Sequence, residues 1–280
     1  FTVTGTNAEQ CTGSRVVTVY ENQLPTVSPT ISDNELCSGE STSIFTGANQ
    51  TLNELITDLS GTNGNQGNAF DIQALKDITI TDFKMNILSG DSAQVWYKSG
   101  GYGNADITTN TGWTKLGATV PITPAGAGAL TTIPTTSNIT IPSGSTYGFI
   151  VICNGSNRYD NGTLVGLISE SNTDLRIREG HGGFGYGGTF NFTNSPRVFN
   201  GSVVYRVNLS SYSWAPAATV TSPTSSSSTI NPVSSTSYTV TVTDDNGCTG
   251  SGFVRAYMYS SPFSANPTAT PSSICIGNTT

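Results

Sequence analysis

Charge is scarce in this chain. Only 10% of the 280 residues are Asp, Glu, Lys or Arg, and the eleven Lys and Arg are scattered. They form no stripe that could follow a phosphate backbone, which argues against nucleic-acid binding. There is one histidine, His181. A Ser-His-Asp triad could be built only on that residue, inside a run of glycines that would hold the ring poorly. Zinc calls for CxxC pairs or further histidines, and the sequence has neither. No apolar run approaches the roughly 18–20 residues that span a bilayer, so membrane insertion is not expected. The run Phe149-Ile-Val-Ile-Cys153 fits a buried strand. Helix-favouring runs of Glu, Lys, Leu and Ala are missing as well. A glycosidase pair would have to draw on Asp106, Asp160, Glu170 and Asp174, and no motif joins them. The chain is read as a non-enzyme.

What is present is Thr, Ser, Gly and Asn, with Val, Ile, Thr, Tyr and Phe recurring in short alternating stretches. This is the pattern of an all-β protein with many turns. The aromatic content of 9%, spread in regular alternation, favours packed sheets over a disordered Ser/Thr-rich coil.

The same motif stands at both ends. Phe1-Thr-Val-Thr leads to Cys11-Thr-Gly-Ser, and Tyr238-Thr-Val-Thr leads to Cys248-Thr-Gly-Ser; Cys37-Ser-Gly and Cys275-Ile-Gly follow each copy. Self-similarity of this kind marks an array of stacked modules, and the chain is expected to be a window on a longer beaded protein. Residues 1–24 read as the closing strands of a preceding immunoglobulin-like module. Residues 25–45 and 210–259 form one discontinuous module, and 260–280 open the next. Trp214 in Tyr212-Ser-Trp-Ala-Pro takes the place of the tryptophan that faces the opposite sheet of such a sandwich. Residues 46–209 differ in character and read as a jelly-roll-like β-sandwich inserted into a loop of the module. Expected strands there are Ile78–Ile87, Ala93–Lys98, Ala118–Ile122, Leu130–Ile133, Ile139–Ile141, Tyr147–Asn154, Leu164–Ser169, Asp174–Arg178 and Ser202–Val207. Asn-Gly pairs at Asn154, Asn161 and Asn200 supply turns between them.

Cys11, Cys37, Cys248 and Cys275 occupy repeated positions and are the disulfide candidates, in an oxidising setting. A Cys37–Cys248 bridge within one module and staples between neighbouring modules both stay open. Cys153 reads as a buried free thiol. Asp244-Asp-Asn-Gly247 has hairpin-turn composition; calcium is the one cofactor left open, and the quartet would need further oxygen ligands.

Two glycine-rich segments supply the candidate ligand-binding residues. In Gly180–Gly188, His181, Phe184 and Tyr186 would ride on a mobile loop and stack on sugar rings, or else the segment is a turn tucked against the sheet. Its literal GxGxxG lacks a strand–helix cradle. Around Ser99–Gly103, Tyr102 and Trp113 are glycan candidates or rim packing, while the adjacent Trp96 and Tyr97 must leave opposite faces of one strand.

The segments Cys37-Ser-Gly-Glu-Ser, Tyr212-Ser-Trp-Ala-Pro, Tyr238-Thr-Val-Thr-Val-Thr-Asp-Asp-Asn-Gly-Cys-Thr and Ile274-Cys-Ile-Gly resemble the Ig-like and PKD-like modules of large Bacteroidota surface proteins. Phe70-Asp-Ile-Gln-Ala, Ile78-Thr-Ile-Thr-Asp-Phe, Ile141-Pro-Ser-Gly-Ser-Thr-Tyr-Gly-Phe and Arg197-Val-Phe-Asn-Gly resemble a domain of secreted proteins from the same group. The resemblance, which extends to giant adhesins such as those of gliding flavobacteria, implies type IX export and extracellular display at the cell surface, attached to the outer membrane. It also implies attachment through neighbouring modules, a polysaccharide or other external surface, and a motility or anchoring partner beyond this segment. An accessory carbohydrate-binding region of a secreted enzyme and a pure spacer are the alternatives.

Overall fold

In the computed structural model the described residues are 2–16, 22–103 and 106–259. The expected opening of a next module at 260–280, Cys275 included, lies outside them, as does most of the Arg15–Tyr20 strand. The described chain is all-β, its helical content limited to one 3₁₀ turn at Ala217–Thr219. It divides into two compact units. Among the described residues the larger holds 2–16, 22–26, 49–103, 106–211 and 242–250; the smaller holds 27–48, 212–241 and 251–259.

The larger unit is a sandwich of two antiparallel sheets. One has four strands in the order Thr131–Ile141, Ile78–Met85, Gly201–Val207, Asn53–Ile56. The other has nine, centred on the long strands Asn63–Ala74, Thr146–Asn161 and Leu175–Phe184. Between them lies an apolar core that includes Phe70, Phe83, Phe149 and Phe199, all essentially without solvent exposure. Phe70 stacks on Phe199 with ring centroids 4.3 Å apart and meets Phe83 edge-on at 6.4 Å. Burial of each such ring contributes on the order of 1.5–3 kcal/mol.

The strand at the centre of the larger sheet, Asn63–Ala74, is one that its sequence hides. Asn-Gly-Asn-Gln-Gly-Asn reads as turn, yet it pairs with Thr146–Asn161 on one side and Leu175–Phe184 on the other. Asn65 and Asn68 in it are buried and hydrogen-bonded: Asn157 donates to Asn68 at 2.8 Å, and Asn65 shares a hydrogen bond with the Tyr159 hydroxyl at 3.0 Å. One hydrogen bond per amide offsets part of the cost of burial, while Asn68 Nδ2 and Asn157 Oδ1 are buried without a partner. Gly67 has to be glycine, because a Cβ there would stand 2.4 Å from the Val151 carbonyl oxygen.

Several expected boundaries shift. Leu130–Ile133 and Ile139–Ile141 are one strand, Thr131–Ile141, against a partner that bulges between Ile80 and Asp82. Asn154-Gly155 is a bulge rather than a turn, so Tyr147–Asn154 runs on to Asn161. The Leu164–Ser169 strand is Ile168–Ser171. The residues before it form a turn around Glu179, whose carboxylate accepts from the N–H groups of Thr163 (2.5 Å) and Leu164 (2.8 Å).

A further four-stranded sheet, ordered Leu209–Ala215, Thr236–Asp244, Thr249–Tyr259, Glu35–Cys37, has most of its residues in the smaller unit. A three-stranded sheet of Ser227–Ile230, Thr42–Phe45 and Thr30–Ile31 accompanies it. Trp214 is buried, its indole N–H donating to the Ser225 carbonyl at 3.0 Å. Tyr238 is buried too, its hydroxyl 2.6 Å from Thr219 Oγ1. Alternation along Thr236–Asp244 and Thr249–Tyr259 sends Tyr238, Val240, Val242, Val254 and Ala256 inward.

The expected disulfides do not form among the described residues: Cys11, Cys37 and Cys248 are free thiols. Geometry excludes Cys37–Cys248, because Cys37 pairs with Tyr259 whereas Cys248 precedes Thr249 at the other end of the same strand. At about 3.3 Å per residue the two lie on the order of 30 Å apart, far beyond the roughly 7 Å limit for Cα atoms in a disulfide. Cys153 is a buried free thiol, and burial raises its pKa.

Candidate functional site

The segment read as either a mobile loop or a glycine-rich turn tucked against the sheet is mostly strand. Gly180–Phe184 belongs to Leu175–Phe184, with His181, Gly182 and Gly183 paired to Ala69, Asn68 and Gly67 on one side. On the other side Gly180, Gly182 and Phe184 pair with Arg197, Asn194 and Asn191. The glycines let strands pass where no side chain fits. A Cβ on Gly180 would lie 2.0 Å from the Ala69 carbonyl oxygen, and one on Gly183 would lie 2.3 Å from that of Asn191. Only the turn after Phe184 is loop-like. Gly185, Gly187 and Gly188 adopt positive φ there, which side-chain-bearing residues reach only with strain.

Four of the five candidate residues converge on the outer face of the nine-stranded sheet. His181, Tyr102, Trp113 and Tyr186 join or border a second apolar cluster built on Ala69, Ile150, Ile152, Phe190 and Phe192. His181 is 4% exposed, and its Nδ1 sits 3.1 Å from the Tyr102 hydroxyl. That hydroxyl donates its single proton to the Ala69 carbonyl at 2.9 Å. The Nδ1 of His181 must then carry the proton and donate. Burial lowers the His181 pKa, which favours the neutral ring. Burial, and secondly the charge of Asp71, push the Tyr102 hydroxyl well above the usual phenol range.

The covering loop is pinned at several points. Trp113 donates its indole N–H to the Asp106 carbonyl at 2.8 Å. The Asp106 carboxylate accepts from the Gly103 N–H at 2.9 Å and pairs with Lys98 at 2.8 Å. Asp71 lies underneath, its pKa raised to about 6 by burial against the opposing pull of the Tyr102 N–H and Arg178. Tyr186 donates to Ser92 Oγ at 2.7 Å.

The ring faces in this cluster are occupied by one another. Tyr102 packs on His181 (5.8 Å) and Trp113 (5.9 Å); Trp113 meets Phe190 at 6.1 Å, and Trp96 meets Phe190 at 5.3 Å. Trp96 and Tyr97 do leave opposite faces, but both are packed, Trp96 on this cluster and Tyr97 on the sandwich core. Sugar stacking needs an open aromatic face: His181 and Trp113 are buried, whereas Tyr102, Tyr186 and Trp96 are half-buried. Phe184, 51% exposed, stands apart from the cluster.

Of the carboxylates singled out in the sequence, Asp160 and Glu170 share a groove of about 350 Å³ with Asp58 and Glu179. Asp106 is engaged by Lys98, and Asp174 accepts the Tyr205 hydroxyl at 2.8 Å. Among the described residues no group of three or more His, Cys, Asp or Glu is arranged to hold a metal ion. At the turn considered for calcium, Asp244 Oδ1 accepts the N–H groups of Asn246 and Cys248, each at 2.9 Å. This is ordinary turn chemistry.

Sequence reasoning passed over one exposed group. On Thr249–Tyr259 the outward positions are Phe253 (69% exposed), Arg255, Tyr257 (40%) and Tyr259 (52%). The Arg255 guanidinium lies over the Tyr257 ring, 5.1 Å from its centroid. The period-two alternation of Phe-Val-Arg-Ala-Tyr-Met-Tyr was the available signal.

No family model matches the chain, and no curated protein matches it. A solved structure of infectious bursal disease virus, strain Gx, is similar over 72% of this chain at 11% identity, with a TM-score of 0.14. The similarity spans 40% of that structure's chain. A likeness that low bears on neither fold detail nor function.

Proposed function

We propose that the chain is a structural and adhesive segment of a long filament displayed outside the cell. In this reading the smaller unit is one bead of the filament and the larger unit is a second sandwich carried within it. The observation that carries the reading is the repeated motif: Phe1–Ser14 precedes the smaller unit, and its second copy, Tyr238–Ser251, forms strands of that unit, whose sequence is interrupted by the larger sandwich. The beads supply reach, and the exposed sheet faces supply contact with an external surface such as a polysaccharide. Export and anchoring would be provided by other parts of the filament.

The test is retention under flow. Beads coated with the chain are washed over polysaccharide films at rising shear, alongside beads coated with an unrelated β-sandwich. Retention above the control is expected; equal loss of both would remove the adhesive part of the reading.

A further inference from the structure

The Gly180–Gly188 segment is interlocked, so the contact surface is sought elsewhere. We propose that the outward face of the Thr249–Tyr259 strand, with its two neighbours, is a binding platform for a neutral, uncharged polysaccharide. This deepens the adhesive reading and rests on it.

The platform follows from alternation. Inward residues Val254 and Ala256 are in the core of the smaller unit, so Phe253, Arg255, Tyr257 and Tyr259 must face out. At about 3.3 Å per residue they form a line of rings on the order of 20 Å long, enough to lie along several sugar residues. The parallel neighbour Glu35–Cys37 places the exposed Glu35 directly beside Tyr257. On the other side Thr236–Asp244 presents exposed Thr239 and Thr241 on the same face.

The chemistry of the group is mixed in a specific way. Aromatic faces cover the apolar C–H side of a pyranose; Phe253 and Tyr259 are exposed rings, and Tyr257 keeps the face away from the Arg255 guanidinium. A carboxylate, a guanidinium and hydroxyls beside them can accept from and donate to the ring hydroxyls. A dry protein interface is depleted of charge at its centre, whereas here Arg255 and Glu35 sit in the middle of the rings. The net charge of −7 disfavours acidic glycans and phosphate-rich surfaces. Holding the rings on a strand rather than a loop fixes their spacing before binding, which lowers the ordering cost.

The experiment uses the whole chain and measures depletion from suspensions of amorphous cellulose, insoluble chitin and, as an acidic comparison, alginate gel. Saturable retention on at least one neutral polymer, and weaker retention on alginate, is expected. The double substitution Phe253→Ser with Tyr257→Ser should weaken retention about tenfold or more, with unchanged melting because both side chains are exposed. Phe184→Ala should leave retention as it was. Equal retention of the double variant overturns the platform while leaving adhesion through another face. Failure of the wild-type chain on both neutral polymers overturns the platform too, and the flow assay then judges adhesion separately. Concentration-dependent self-association that the double substitution abolishes would assign the face to a second copy of this chain instead.

Discussion

Substituting Gly183 separates a buried strand from a mobile loop, because the two give opposite signs. A Cβ at this position would lie 2.3 Å from the Asn191 carbonyl oxygen and 2.4 Å from Phe192 Cα. Both are backbone atoms of the neighbouring strand and cannot rotate away. Ordinary carbon contacts begin at about 3.5 Å, so the strands would have to part by about 1 Å. Overpacking of this kind costs about 1–3 kcal/mol. Alanine returns about 0.4–1 kcal/mol by narrowing the unfolded ensemble. The expected net loss for Gly183→Ala is therefore up to about 2.6 kcal/mol, which lowers the melting temperature of a unit this size by up to about 10 °C. Scanning calorimetry with near-ultraviolet circular dichroism would follow it, since Trp96 and Trp113 report on this face. Phe184→Ala, at an exposed neighbour, should change stability by no more than about 0.5 kcal/mol. If Gly183→Ala melts at or above the wild-type temperature, the segment is not the packed strand described.

Two further perturbations probe the same unit. Phe70→Ala removes a fully buried ring that stacks on Phe199 and touches Phe83 and Phe149. It should cost about 3–5 kcal/mol in urea denaturation, and a loss below about 1.5 kcal/mol would contradict a single aromatic core. Asp71 gives a pH-dependent effect. Its pKa is raised from 3.8 to about 6 by burial, so the folded state holds the proton more tightly than the unfolded chain. The stability it contributes is complete below pH 4 and is lost as pH rises through 6, amounting to about 2–3 kcal/mol. Asp71→Asn should accordingly stabilise the chain at pH 7 and make little difference at pH 3.5; stabilisation of equal size at both pH values would contradict the burial argument.

Some of this fold was legible in the sequence, for physical reasons that also explain what was not. Ser92–Ser99 and Gly201–Val207 are rich in β-branched and aromatic residues, and their strands were readable to within a residue or two. Asn63–Ala74 and Gly180–Phe184 were not. Their glycines and asparagines carry local turn signals, whereas the need for glycine comes from backbones packed across the sheet. The amide pairs that allow asparagine to be buried join residues such as Asn68 and Asn157, distant in sequence. The meeting of Tyr102 with His181 is equally non-local, and composition could not tell that His181 and Trp113 are buried while Tyr102 and Tyr186 are half-buried. The Phe253–Tyr259 alternation was visible, but which side faces solvent depends on the opposing sheet.

Single-molecule extension of the chain by its two ends tests most directly whether one folded unit is inserted in the sequence of another. The contacts joining Thr42–Phe45 to Ser227–Ile230 and Glu35–Cys37 to Tyr257–Tyr259 close the smaller unit around the insertion point. Tension should break these first, leaving Asn49–Ser211 unloaded until they fail. At about 3.5 Å per extended residue, a short release of about 20–25 nm should always precede a long one of about 55 nm. A long release that comes first, or an order that varies from pull to pull, would contradict the inserted arrangement.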